Sequence, residues 1–302
     1  MAIAVGDIRN VALCGHGSSG KTTLVDKMLG SKGLTNANPS VDDGTSVCDF
    51  DPEEKNHKYT IESSLIHFEH GGKQLNVIDT PGYPDFIGQT IGALRAVETA
   101  IVVVNAQSGI EVNTRRVFDE AGKAGLGRIV VVNKMDADNI DFDGIVNSIR
   151  EMWGNQCVLL NVPLGQGADF KGVASTLVVP DDTAGALVDP GEIHDALLES
   201  IIEVDEEVME RYFEGTPPTD DELSRLIVQA IAAGSLIPIL CTSGKNEIGL
   251  TELLDTIVQG GLSPLHVTRE ASQDGDSGEI QPVADGPLVA QIFKTRIDPF
   301  VQ

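Results

Sequence analysis

The sequence predicts an α/β fold with a doubly wound, mostly parallel sheet. Residues 8–14 and 128–132 are predicted to be strands, and 99–104 is a continuous apolar run typical of a buried parallel strand. The strands at 8–14 and 99–104 are each followed by a stretch with helical spacing of its apolar residues, at 23–29 and 111–125. Polar motifs come directly after strands, where ligands bind in open α/β sheets. Strands that alternate with helices in this order form parallel sheets.

Charge is the most informative feature of the composition. The chain has 302 residues, 41% of them hydrophobic, which is enough for a proper core. Its formal net charge of −25 argues against non-specific DNA or RNA binding, because such binding needs a basic face. A nucleotide site is compatible with this charge, since backbone amides, one lysine and Mg²⁺ can form it. The high charge also favours a monomer.

The sequence further predicts a cytoplasmic protein without a membrane segment. No apolar run approaches the length of a membrane span, and the first residues lack the pattern of a signal peptide. The four cysteines are scattered without metal-ligand spacing, which fits a reducing compartment better than a disulfide framework.

Residues 15–22, GHGSSGKT, match the phosphate-binding loop pattern. In such a loop, backbone N–H groups and the positive end of the following helix face a phosphate, Lys21 adds a charge, and the Thr22 hydroxyl would bind Mg²⁺. An ordinary glycine-rich turn is the alternative, but the strand before and the helix after favour a P-loop NTPase. The candidate contacts are Gly15, His16, Gly17, Ser18, Ser19, Gly20, Lys21, Thr22 and Thr23.

A long loop and a hairpin come next. Residues 30–58 lose apolar periodicity and are expected to form a loop that is either functional or disordered. Alternation at 60–68 and the apolar run at 73–78 predict a hairpin at the sheet edge. Thr60 is a candidate second Mg²⁺ ligand, reached when the loop closes over a γ-phosphate. A plain strand threonine is an equally open interpretation.

Two polar motifs follow later strands. Asp79-x-x-Gly82 offers a carboxylate to a metal and a glycine N–H to a terminal phosphate, although such a turn is common. Asn133-Lys134-x-Asp136 is more specific, because the Asp136 carboxylate can accept two hydrogen bonds from guanine, which adenine does not offer. We expect Asn133 to face N7 and the stem of Lys134 to lie along the base.

The remaining elements predict an inserted α+β subdomain. A helix is expected at 85–97, and after residue 153 the alternation gives way to strands at 157–162 and 172–179 and helices at 193–213 and 220–233. The parallel rhythm resumes at 236–241, followed by Ser243, Gly244 and a helix at 249–258. Backbone N–H groups of Ser243 and Gly244 would approach the base oxygen, although any strand-to-helix turn shows such residues.

These patterns give the expected domain boundaries. Residues 1–262 form the nucleotide-binding domain, with the insertion at about 155–234. Residues 263–286 are rich in Ser, Asp, Gly and Glu and are expected to be a linker. Residues 287–294 predict the first strand of a truncated domain at 287–302, because one strand has no stability without partners.

The order of GHGSSGKTT, DTPGYPDF, NKMD and a late Ser-Gly resembles that of translational GTPases. The likeness to the elongation factor G family covers nearly the whole chain. Further support comes from DFDPEE at 49–54, VPLGQGADFKGV at 162–173 and PILC at 238–241.

The resemblance implies an N-terminal fragment: a G domain with its insertion, followed by the opening of a β-barrel domain. GTP or GDP and Mg²⁺ would bind, and the full-length protein would act on the ribosome in protein biosynthesis. Thr60 would be the switch I threonine, and Thr22, Thr60 and Asp79 would hold the metal. Lys21, Thr60, Gly82 and Tyr83 would be the catalytic residues.

Two departures from the family pattern bear on rate. Tyr83 stands where the family usually has a His that orients the attacking water, and a phenol carries no positive charge at neutral pH. Ser18 stands where elongation factors usually have Asp, a position associated with metal-ion support. Both changes look closer to the elongation-factor-G-like paralogue group. GTP binding is expected to survive them, whereas fast hydrolysis does not follow.

Three interpretations therefore stay open. The first is a Mg²⁺-dependent GTPase of the elongation factor G type with slow intrinsic turnover. The second, prompted by Tyr83, is a GTP-dependent switch that binds ribosomes or another partner with little hydrolysis. The third, an unrelated ATP-using enzyme, is disfavoured by Asn133 and Asp136.

Overall fold

Seven strands form one central sheet in the computed structural model, which describes residues 3–35, 38–273 and 276–296. Neighbouring strands are parallel except for the first pair in the spatial order. The mostly parallel α/β fold predicted from the sequence is thereby confirmed. In spatial order the strands are β2 (Ser64–His70), β3 (Lys73–Asp79), β1 (Ile8–Gly15), β4 (Thr99–Asn105), β5 (Gly127–Asn133), β9 (Ile237–Cys241) and β6 (Cys157–Leu159).

Helices cover both faces of this sheet because alternate strand residues point to opposite faces. In β1, for example, Ala12 and Cys14 pack with one buried cluster and Val11 and Leu13 with another. The first cluster is covered by α3 (Ile87–Leu94), α4 (Val112–Lys123) and α5 (Phe142–Trp153). The second is covered by α1 (Lys21–Ser31) and α9 (Leu250–Gly260).

The predicted hairpin lies at the sheet edge, but two neighbouring predictions need correction. Strand β2 begins at Ser64, four residues after the predicted start at 60. The predicted loop at 30–58 contains a short helix, α2 (Pro52–His57), which has Asp51 as its N-cap and a complete capping box. Periodicity misses a six-residue helix of polar residues because it has no apolar stripe.

The insertion differs from the prediction at its start. Strand β6, expected to belong to the insertion, pairs in parallel with β9 and extends the main sheet. The insertion therefore begins after it, with an antiparallel hairpin of β7 (Asn161–Leu164) and β8 (Gly172–Ser175). The single helix predicted at 193–213 is two helices, α6 (Pro190–Ile202) and α7 (Glu206–Phe213), because the Asp205 side chain caps the second one. Helix α8 (Asp220–Ala233) packs beside α6 in a third buried cluster.

The segment after residue 262 also departs from the prediction. The expected linker holds an antiparallel hairpin of β10 (Arg269–Gln273) and β11 (Asp276–Ile280). Residues 287–296 carry no strand, contrary to the predicted strand at 287–294. They lie instead along the segment before β2, where Lys294 Nζ donates to Ser63 O at 2.7 Å and pairs with Glu62 at 2.9 Å. None of the helices in the described ranges is long and apolar enough to cross a membrane.

Helices α4 and α5 are joined by an aromatic stack. The rings of Phe118 and Trp153 lie 3.9 Å apart and nearly parallel, and the guanidinium of Arg128 on β5 lies 4.6 Å from the Phe118 ring. Both aromatic side chains are buried. Stacking adds to the large apolar area that each ring removes from water.

We expect Phe118→Ala to lower the free energy of unfolding by ~3–5 kcal/mol, because it leaves a cavity beside Trp153. The matched control is Phe213→Ala, since Phe213 is 68% exposed and its loss should cost less than ~0.5 kcal/mol. Urea unfolding followed by circular dichroism measures both. Equal stabilities of the two variants would contradict the packing described here.

Candidate nucleotide-binding site

The sequence motifs meet at the carboxyl ends of β1, β3, β5 and β9, around a cavity of about 610 Å³. The phosphate loop forms its floor, and the segment from 38 to 42 and the turn at 58–60 form one side. These segments are far apart in the sequence, and the fold brings them together in a cleft at the carboxyl ends of the strands. This is where ligands are expected to bind in an open α/β sheet. The other lining residues are Lys27, Gly82, Tyr83, Asn133, Lys134, Lys245 and Asn246.

Lys21 lies inside the phosphate loop. Its Nζ donates to the carbonyl oxygens of His16 at 2.8 Å and Gly15 at 3.3 Å. Burial lowers the pKa of Lys21, and the nearby Asp79 carboxylate opposes this shift. The loop is held from outside by α4, because His16 N donates to Thr114 Oγ1 at 3.2 Å. The ammonium is therefore positioned before any phosphate contacts it.

The three predicted metal ligands lie together. Thr22 Oγ1 donates to Asp79 Oδ2 at 2.7 Å and lies 2.9 Å from Thr60 Oγ1. Thr60 in turn donates to Asp49 Oδ1 at 3.1 Å. Each hydroxyl has a carboxylate acceptor within reach, and either hydroxyl can also donate to the other.

This oxygen cluster fits a divalent cation. Within the described ranges Asp79 Oδ1 is buried and has no hydrogen-bond partner. The 2.9 Å between the threonine oxygens is close to the spacing of about 3 Å expected for adjacent ligands of octahedral Mg²⁺. Burial raises the pKa of Asp79 to about 7 and that of Asp49 to about 6, since charged carboxylates are costly to desolvate. A bound cation would favour their ionised forms.

Gly82 lies directly on the phosphate loop. A Cβ atom at this position would come within 2.5 Å of Lys21 Nζ and 2.6 Å of Gly17 N, so no larger residue fits. The side chain of Asn113 fixes the turn by donating from Nδ2 to Gly82 O at 2.8 Å. The predicted approach of this glycine to the phosphate end of the cavity agrees with that placement.

Tyr83 packs on Gly17 and on a second tyrosine. A Cβ at Gly17 would be 3.1 Å from the Tyr83 ring, which shows how closely the ring covers the loop. Tyr59 meets Tyr83 edge-on, with ring centroids 4.8 Å apart. Both tyrosines line the cavity beside Thr60.

At the other end of the cavity, the Asn133 side chain joins two loops. Its Nδ2 donates to Ser19 O at 2.9 Å, and its Oδ1 accepts from Gly244 N at 2.9 Å and Thr242 Oγ1 at 3.1 Å. The amide therefore joins the phosphate loop to the loop after β9. Lys134 lines the cavity, with its backbone at a φ of 68°, whereas Asp136 lies half-buried outside the lining residues.

The prediction for Ser243 and Gly244 needs correction. The N–H of Ser243 donates to Ile248 O at 2.9 Å, and that of Gly244 donates to Asn133. Both donors are thus satisfied inside the protein, as buried amides must be. Lys245 and Asn246 extend from the same loop into the cavity lining instead.

Sequence reasoning missed several residues that build the site. Lys27 lines the cavity and contacts Asn38 Oδ1 at 2.5 Å and Glu247 Oε1 at 2.9 Å. Asp49 and Asn113 complete the contacts of Thr60 and Gly82. A polar residue on the buried side of a helix, such as Lys27 in α1 or Asn113 in α4, was the available signal.

The chain is similar to known proteins in both sequence and structure. The model of the elongation factor Tu GTP binding domain matches residues 6–260. Elongation factor G of Fervidobacterium nodosum is 32% identical over 311 residues, which cover 97% of this chain and 45% of the relative. A crystal structure of a protein from Thermus thermophilus superposes with a TM-score of 0.79 at 32% identity, covering 86% of this chain and 41% of that one. The chain thus spans about half the length of these relatives.

The close approach of Gly82 to the phosphate loop can be tested directly. We expect Gly82→Ala to weaken nucleoside triphosphate binding at least ~10-fold, because the methyl group displaces Lys21 or the loop amide (~1.4 kcal/mol per tenfold). Gly88→Ala is the matched control, since a Cβ there meets nothing within 4 Å. Isothermal titration calorimetry with Mg²⁺ measures both variants. Unchanged binding by Gly82→Ala would show that the glycine is not needed there.

Proposed function

Since the chain belongs to the family of the elongation factor Tu GTP binding domain, we propose that it is the GTP-binding part of a Mg²⁺-dependent GTPase of the elongation factor G type. The observation that carries the proposal is the cluster of Thr22, Asp79 and Thr60 beside the buried Lys21. It supplies an ammonium for the phosphates and oxygen ligands for a metal within one cavity. The full-length protein would act on the ribosome in protein biosynthesis.

Catalysis would be mainly electrostatic and positional. Lys21 and the loop amides would hold the β- and γ-phosphates, with Gly82 beside the terminal one. Thr22, Thr60 and Asp79 would hold Mg²⁺, which would neutralise charge on the phosphates. Tyr83 can orient a water molecule by hydrogen bonding but cannot add a positive charge, so intrinsic turnover is slow.

The wider assignments belong to the same proposal. A net charge of −25 supports a monomer that does not bind DNA non-specifically, and the scattered cysteines support a cytoplasmic location. We take residues 1–262 as the GTP-binding domain and 287–302 as the opening of a further domain. The closer likeness to the elongation-factor-G-like paralogues is supported by Tyr83 and Ser18.

Guanine selectivity tests the nucleotide. We expect Asp136→Asn to weaken GTP and GDP binding by ~10–100-fold, because an amide cannot accept both guanine hydrogen bonds (~1–3 kcal/mol). ATP binding should stay as weak as before. The control Asp138→Asn changes an exposed carboxylate two residues away and should leave GTP affinity unchanged. Equal losses for both variants, or ATP binding as tight as GTP, would reject the guanine assignment.

Ribosome-dependent turnover tests the activity. We expect GTP hydrolysis by the full-length protein to rise at least ~10-fold when ribosomes are added, because positioning of the water limits the intrinsic rate (~1.4 kcal/mol per tenfold). Phosphate release measures the rate, with Lys21→Ala as the inactive control. A full-length protein that binds GTP but shows no stimulation would contradict the proposed GTPase.

The packing of Tyr83 favours one second candidate. Its ring is held between Gly17 and Tyr59, an arrangement that supports a GTP-dependent switch that occupies the ribosome or another partner with little hydrolysis. Under this candidate, Tyr83→His would raise turnover sharply, since the imidazole supplies the missing group. An unchanged rate in the same assay would count against it.

A further inference from the structure

The loop that carries Thr60 is closed on itself by one buried carboxylate. We define the threonine loop as residues 49–62, which begin at Asp49 and contain α2. Glu54, within that helix, is 0% exposed. Its Oε2 accepts the N–H groups of Phe50 and Asp51, both at 3.0 Å. Its Oε1 accepts the N–H groups of Ile61 at 2.9 Å and Glu62 at 3.0 Å.

These four hydrogen bonds use both oxygens of the Glu54 side chain. A carboxylate group offers acceptor lone pairs on both oxygens, whereas an amide in its place would present an NH₂ donor on one side. Loss of the second oxygen would therefore leave two of these part-buried N–H groups without their acceptor, at a cost for each of them.

The bonds join the two ends of the threonine loop beside the site. Phe50 follows Asp49, whose carboxylate accepts the Thr60 hydroxyl at 3.1 Å. Ile61 follows Thr60 itself. By tying residues 50–51 to residues 61–62, Glu54 fixes the backbone on both sides of the contact between Asp49 and Thr60. It also holds Thr60 Oγ1 at 2.9 Å from Thr22 Oγ1.

We propose that Glu54 is a positioning residue that presents Thr60 to the nucleotide site and thereby sets the preference for GTP over GDP. Glu54 is not among the residues that line the cavity, so it would act through Thr60. This inference deepens the proposed function and depends on it, since the preference exists only if Thr60 reads the γ-phosphate end of a bound nucleotide. Any change in the position of the threonine loop would then move it as one unit, because the hydrogen bonds of Glu54 that link its two ends do not involve the nucleotide.

The first test compares two neighbouring carboxylates. Glu54→Gln should weaken GTP binding ~10-fold in the presence of Mg²⁺ while GDP binding stays within twofold (~1.4 kcal/mol per tenfold). Glu53→Gln is the matched control, because it removes the same charge from a side chain that is 65% exposed. Calorimetry gives both dissociation constants. If Glu54→Gln weakens GTP and GDP equally, the proposed role in selectivity is wrong.

The second test asks whether Glu54 acts through Thr60. Glu54→Gln should cost nothing further for GTP binding in a Thr60→Ala background, because the group it positions has been removed. A merely structural role would instead give the same additional loss in both backgrounds. Additive losses would therefore overturn the proposal.

Hydrogen–deuterium exchange on the unmodified protein covers the case in which Glu54→Gln does not fold. The amides of Phe50, Asp51, Ile61 and Glu62 should be protected to a similar degree with GDP, with GTP and without nucleotide. Exchange of these amides at the rate of free peptides would overturn the proposal. This readout also separates its failure from that of the proposed function: a protected loop in a protein indifferent to GTP would reject the GTPase, not the link made by Glu54.

Discussion

The balance of buried charge around Lys21 is the constraint on which the site depends. Lys21 as a residue is 5% exposed, and the residues Asp26, Asp49 and Asp79 are no more than 2% exposed. Burial raises the pKa of all three carboxylates, so their charges are only partly offset by the surrounding protein. A triphosphate placed against Lys21 and a cation placed against the carboxylates would each lower the cost of the other. Binding of nucleotide and metal is therefore expected to be coupled.

These groups are far apart in the sequence, and the fold brings them close together in space. Strands β1 and β3 are neighbours in the sheet, so their ends bring the phosphate loop and Asp79 together. Asn133, at the end of β5, then ties that loop to residues 242–244 after β9. The buried side-chain amide of Asn113, near the start of α4, donates to Gly82 O and so links that helix to the turn after β3. The Asn133 amide is paired through both its oxygen and its nitrogen, whereas Asn113 Oδ1 is buried without a hydrogen-bond partner among the described residues.

The sequence was informative where the signal is local, and less so where contacts are distant. The phosphate loop and the motifs that begin at Asp79 and Asn133 are recognised from short patterns, and the structure has them at the carboxyl ends of strands. The predicted hairpin lies at the edge of the sheet. The pairing of β6 with β9 could not be predicted, because a three-residue strand has no period of its own. The acceptors of the Ser243 and Gly244 N–H groups could not be predicted either. Ile248 and Asn133 come close to them only in the folded protein. The contacts of Glu54 could not be predicted either, because its four N–H donors, at 50–51 and 61–62, come together only in the folded loop.

The two borders of the seven-stranded sheet differ as templates for another chain. On one side β6 is only three residues long, whereas on the other β2 has seven residues and exposes Leu65 beside Glu69. Short edge strands discourage intermolecular strand pairing, the first step toward amyloid-like association, and long edges with exposed apolar residues favour it. Aggregation during synthesis would therefore start at the β2 border rather than at β6.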